Sequence, residues 1–171
     1  MSEFSASNSG AISFREKLAG SPAFSQLFRD GMGLVEETAA YLDGQGRKES
    51  KALSRTGALT YATESMRLTT RLMQLASWLL LHRAVKEGEM SLSQVNQEKT
   101  KVKLSPTFMA DEETLAILPE QLVDLIRRSI ALADQVRRLD ATIHAPSEAP
   151  QDMGNPVESQ IGMLKAAFEA R

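Results

Sequence analysis

An all-α fold, a three-helix antiparallel bundle with a long second helix, follows from three features of this sequence. Apolar residues recur at helical spacing in three separate segments, about 21–43, 50–87 and 119–144. Nothing alternates between apolar and polar with period two over a useful length, so no sheet is expected. The middle segment has no proline and only one glycine, Gly57, so nothing stops it forming one helix on the order of 55 Å long at ~1.5 Å per residue. Composition divides the chain into a flexible tail (1–20), the bundle domain (21–144) with a long loop at 88–118, a linker (145–155) and a short C-terminal amphipathic helix (156–171).

The first helix opens at Ser21-Pro22, where serine can cap free amides and proline suits the first helical position. Phe24, Leu27, Phe28, Leu34, Val35, Thr38, Tyr41 and Leu42 then form one apolar face. Gly31 and Gly33 interrupt it at a cost of ~1 kcal/mol each relative to alanine, and mark either tolerated weakness or close approach by another backbone. Asp43-Gly44-Gln45-Gly46 turns the chain into the long helix, which stops at Gly88. The connection that follows is too long for an ordinary helix–helix loop. Within it, Ser91 and Gln94 resemble a capping box, so a short helix is expected near Leu92–Glu98. A basic run, Lys99, Lys101 and Lys103, and an acidic one, Asp111-Glu112-Glu113, either solvate the loop or dock a charged partner. Pro119 opens the third helix. Its stripe is Leu122, Leu125, Ile126, Ser129, Leu132, Ala133, Val136, Leu139 and Ile143, with Arg127, Arg128, Arg137 and Arg138 mostly outside it. Asn155-Pro156 caps the last segment, whose apolar residues are Val157, Ile161, Leu164 and Phe168. That segment either binds a groove on a partner or folds back on the bundle.

A length of 171 residues suits one domain plus tails. A net charge of −2 provides no broad basic field for nucleic acid or anionic lipid, so neither nucleic-acid binding nor membrane insertion is expected. The absence of cysteine excludes disulfides and thiolate metal sites and suits a reducing compartment. The serine-rich N-terminus lacks the apolar core of a secretory signal. The apolar run bracketed by Arg71 and Arg83 is about half of the ~20 residues a membrane span needs, so a cytoplasmic protein is expected.

That run, Leu72 to Leu81 (LMQLASWLLL), is apolar almost all the way round. A helix greasy on every side must be covered on every side, and two neighbouring helices are expected to fall short. A second copy of the chain is therefore expected to cover Leu72, Leu75, Ala76, Trp78 and Leu79 as a homodimer interface. Tryptophan is also enriched where one protein buries another.

Reactive chemistry is poorly represented. His82 and His144 lack a glutamate three positions earlier, HExxH is missing, and neither a nucleophile elbow nor a phosphate-binding glycine loop occurs. No catalytic residue, metal site or cofactor is expected. His82 should snorkel at the edge of the belt, and His144 sits where a helix end welcomes positive charge. Glu64, Arg67 and Arg71 lie on one ridge of the long helix. Glu64 can pair with Arg67, and Glu36 or Glu37 can supply the rest. Alternatively Arg67 and Arg71 grip an acidic partner. The partner-binding candidates are thus Arg67, Arg71, Lys99, Lys101, Lys103, Ile161, Leu164 and Phe168.

EETAAYLDGQGRKESKAL, followed by ALTYATESMRLTTRLMQLASWLLLHRAVKEGEMS, closely resembles the RcdA family of bacterial protease adaptors, regulators of CtrA degradation. The likeness is strong from about Phe24 to Leu104, continues more weakly through Leu118 to Ile143 and fades in both tails. It implies a homodimeric three-helix bundle without enzymatic activity. It also implies a cytoplasmic adaptor, gathered at the cell pole, that helps the ATP-dependent ClpXP protease degrade cell-cycle transcription regulators with a CpdR-like priming factor. The competing expectation is a dimeric helical DNA-associated or general regulatory protein, which the charge disfavours.

Overall fold

The computed structural model describes residues 20–99, 104 and 108–144. The expected tail, the linker and the C-terminal helix with Ile161, Leu164 and Phe168 lie outside them, as do Lys101 and Lys103. All regular structure among the described residues is helical. The elements are α1 (Pro22–Asp43), α2 (Gln45–Ala52), α3 (Arg55–Lys86), α4 (Leu92–Lys99), α5 (Glu112–Ala116) and α6 (Glu120–His144).

Local capping chemistry sets the helix ends. Ser21 Oγ accepts from the Phe24 amide at 3.2 Å with Pro22 in the first turn, as the sequence predicts. The expected break at Asp43–Gly46 is narrower than the motif suggests. Only Gly44 leaves the helix, its amide donating to the carbonyls of Ala40 and Tyr41, while Gly46 is already inside α2. Gly46 is buried there, and a Cβ on it would lie 2.5 Å from Tyr61 Oη and 2.8 Å from Tyr41 Cε1. Glycine thus lets α2 close onto two tyrosines, and Tyr41 Oη donates to Glu49 Oε2 at 2.7 Å.

The long helix expected over 50–87 starts later, at Arg55. Leu53 is extended (φ −76°, ψ 155°), and Ser54 Oγ accepts from the Gly57 amide at 3.1 Å. A serine cap therefore splits what the absence of proline and scarcity of glycine suggest is continuous. At the other end Gly88 adopts φ 76°, a left-handed angle that favours glycine, and terminates the helix. The capping box then forms: Ser91 N donates to Gln94 Oε1 at 2.9 Å, and Gln94 N to Ser91 Oγ at 3.2 Å. The acidic run expected only as loop or docking site starts α5. Asp111 Oδ1 accepts from the Thr114 amide at 2.8 Å, and α5 buries Leu115.

The three long helices share one core: Phe24, Leu27, Leu34 and Tyr41 from α1; Leu68, Leu72, Leu75, Trp78 and Leu79 from α3; and Leu122, Leu125, Ile126, Ala133 and Val136 from α6. Lys86 reaches Ser25 and Arg83 stacks over Phe28, so α1 and α3 are antiparallel. The relation of α3 to α6 differs from the fully antiparallel expectation. Arg71 Nη1 donates to Ser129 Oγ at 2.7 Å, and further along both chains Trp78 Nε1 donates to Asp140 Oδ1 at 2.8 Å. Both partners advance toward their C-termini, so α3 and α6 run the same way. The long 87–119 connection makes this possible, because it carries the chain back along the bundle before α6 begins.

Candidate partner-binding surface

The apolar belt of α3 divides into an inner and an outer face. Leu72, Leu75, Trp78 and Leu79 are each no more than 4% exposed within a single chain. Phe24 lies 6.4 Å from Trp78 between ring centroids, His82 stacks on the indole at 3.9 Å, and Asp140 takes its N–H. These side chains are core, so their expected place in an interface between copies is corrected: α1 and α6 already enclose them. Ala76, by contrast, is only half-buried. His82 does not snorkel. It is buried, with Nδ1 3.0 Å from the Trp78 carbonyl, which can only accept, so Nδ1 carries the proton.

What one chain leaves uncovered is a different row on the same helix. Leu59, Met66, Met73 and Leu80 stand exposed, seven residues apart by number, with Met66 72% and Met73 67% accessible. Between them lie Ala62, Thr63, Thr69, Thr70, Ala76 and Ser77, with no charged residue among them. The hydroxyls of Thr63, Thr69 and Ser77 donate back to the carbonyls of Leu59, Ser65 and Met73 at 3.0, 2.8 and 2.8 Å. With its hydrogen bonds turned inward, this row offers methyl and thioether groups to the outside. Sequence reasoning passed over it because the density of the Leu72–Leu81 run drew the eye. The seven-residue spacing was legible all along.

Beside that row, Met66, Arg67, Thr70, Arg71 and Phe108 line an open cavity of about 420 Å³. Glu64 is buried, only 3% exposed, and accepts from Arg67 at 2.7 Å, as the ridge spacing predicts. Arg71 does not draw on Glu36 or Glu37. It reaches Ser129, and Glu37 instead takes Arg128 in a two-pronged pair at 2.8 and 2.7 Å. Burial pushes the Arg71 guanidinium below its ordinary value; repulsion from Arg137 and Arg67 adds to this, and Glu64 opposes it. Arg137 pairs with Asp134 through Nη1, while its buried Nε and Nη2 have no hydrogen-bond partner. Arg67 and Arg71 are thus brought together with apolar Met66 and Phe108. Of the lysine candidates, Lys99 closes α4.

Among the described residues, no group of three or more His, Asp or Glu is arranged to hold a metal ion. Among the same residues, no helix is long and apolar enough to cross a membrane. A family model described as a protein of unknown function, DUF1465, matches residues 15–168. No curated protein matches the chain. Among solved structures, RcdA from Caulobacter crescentus CB15 is 50% identical over 75% of this chain and 96% of that one, with a TM-score of 0.59. The chain belongs to the RcdA family. In this RcdA-family chain, the outward α3 row and the cationic cavity are two features, among the described residues, whose chemistry the bundle itself does not use.

Proposed function

We propose that this protein is a non-enzymatic adaptor for regulated proteolysis, delivering cell-cycle regulators to the ATP-dependent ClpXP protease with a CpdR-like priming factor, in the cytoplasm and at the cell pole. Half of the aligned residues are identical to RcdA over 75% of this chain and 96% of that one, which supports a role in regulated proteolysis. The observation that carries the reading is the pairing of an uncharged exposed row with a cationic cavity on one side of α3. Both are surfaces for holding other proteins. The mechanism is one of effective concentration: holding cargo near the protease raises its local level to roughly the mM range without new chemistry.

The adaptor acts as a homodimer, with the second copy seated on Leu59, Met66, Met73 and Leu80. An antiparallel two-fold pairing of this row sets Met66 against Met73 and Leu59 against Leu80, so the same patch on both copies is self-complementary. The small residues between them let the two α3 helices approach closely. Degradation by purified ClpXP and CpdR, with and without this protein, tests the adaptor reading. Faster loss of at least one cell-cycle regulator is expected; equal rates for every cargo would sink it.

A further inference from the structure

We propose that the cavity lined by Met66, Arg67, Thr70, Arg71 and Phe108 is a recognition pocket for a short acidic–apolar motif, a protein segment carrying an aspartate or glutamate next to a large apolar side chain. The inference rests on the reading of this protein as one that holds other proteins, and assigns the chemistry of what it holds.

Charge decides the polar half. Arg67, Arg71 and Arg137 lie close enough to repel one another through Arg71, while the nearby acids are spoken for: Glu64 by Arg67, and Asp134 by Arg137. Arg71 has no carboxylate within ion-pair distance among the described residues, only the neutral Ser129 hydroxyl. Glu64 attracts Arg71 from a distance but makes its ion pair with Arg67, so a half-buried guanidinium bonded only to a neutral oxygen is poised to accept a carboxylate through its planar fork. The partly dry setting strengthens that contact relative to open water.

Apolar geometry decides the other half. Phe108 is 76% exposed, far more than a phenyl ring folded for stability alone requires, and it lines the same opening as Arg71. A volume of about 420 Å³ admits a few side chains rather than a folded domain. The occupant is therefore a short stretch of chain, its carboxylate on Arg71 and its apolar neighbour on Phe108.

Fluorescence anisotropy of the full chain with labelled short peptides tests this. The probes share one uncharged host sequence with Asp-Leu, Asn-Leu or Asp-Ser at the centre. The Asp-Leu peptide is expected to bind about tenfold more tightly than either relative. Arg71→Gln should erase the preference over Asn-Leu, and Phe108→Ala the preference over Asp-Ser. Arg127→Gln, which pairs with Glu112 and does not line the cavity, should change neither. Phe108 is exposed enough that its truncation leaves the fold intact, so the test survives if Arg71→Gln unfolds. Equal affinity for Asp-Leu and Asn-Leu, or no binding, overturns the inference. So does affinity that falls as protein concentration rises, which marks a second copy as the occupant. Binding seen only after Phe168→Asp marks the chain's own C-terminal segment, with the same consequence. Because the measurement contains no protease, peptide discrimination with no effect on degradation would fell the adaptor reading alone. Enhanced degradation with no discrimination would fell this inference alone.

Discussion

The indole N–H of Trp78 donates to Asp140 Oδ1 at 2.8 Å, joining the C-terminal third of α3 to the last turns of α6. The indole is almost fully enclosed, so removing the acceptor strands a buried donor. Asp140→Ala is expected to cost about 1–3 kcal/mol, read as a lower urea midpoint with an unchanged slope. An unchanged midpoint would show that water replaces the carboxylate at no cost.

Trp78 and Met73 lie five positions apart on one helix but should respond oppositely to a charge. Trp78→Asp places a carboxylate in the core and deletes the largest buried side chain there, so the chain should unfold rather than separate into folded monomers, at a cost of more than ~4 kcal/mol. Met73→Lys puts its charge on the outward row. It should leave the circular dichroism spectrum unchanged while light scattering reports a monomer. A folded, dimeric Met73→Lys protein would remove that row as the contact between copies.

Gly31 and Gly33 lie two positions apart on α1 and differ in what surrounds them. A Cβ on Gly31 would clash with Leu79 Cδ1, and Leu79 is fully buried, so making room for it requires repacking the core. Gly31→Ala should therefore destabilise by about 1–3 kcal/mol through overpacking. Nothing lies within 4 Å of the same position on Gly33, and Gly33→Ala should stabilise by about 0.5–1 kcal/mol. Thermal melts of the two variants should move in opposite directions.

The Glu37–Arg128 pair gives a pH signature. Its hydrogen bond with Arg128 holds the Glu37 carboxyl below the usual 4.5, with the attraction of the guanidinium assisting and burial opposing. A depressed folded value means stability that is fully present above the unfolded value and lost as pH falls through the folded one. Both side chains are over a third exposed, so solvent screening limits the effect to about 0.2–1 kcal/mol. Glu37→Gln should lower the urea midpoint slightly at neutral pH, and the gap from the parent should close once the pH is well below 4.5. A gap of equal size in acid would mean that the pair's charge contributes nothing.

Much of the candidate surface was within reach of sequence reasoning, but unevenly. Glu64 with Arg67 was readable from their spacing on one helix, and Ser91 with Gln94 from the capping pattern. The partner of Arg71 was not, because Ser129 is distant in sequence and meets it only where α6 packs beside α3. Phe108 carried no signal at all: a lone aromatic in an irregular stretch gains meaning only when it is found lining one cavity with Arg71.

The belt around Trp78 was misread for a related reason. Hydropathy along a helix reports how much apolar surface needs cover, not which neighbour supplies it. Close packing of Phe24 and Asp140 over the indole, and of Gly31 against Leu79, brings α1 and α6 near enough to finish the task within one chain.

Helix type and most helix ends were decided by the amino-acid order alone, because caps, turns and apolar periodicity act between residues a few positions apart. The Ser21 cap and the stop at Gly88 needed no distant partner. The parallel course of α6 beside α3, the enclosure of Trp78 and the meeting of Arg71 with Phe108 were settled only by packing. Each depends on where remote segments come to rest, and many arrangements of the same helices satisfy the local rules until their side chains must interlock.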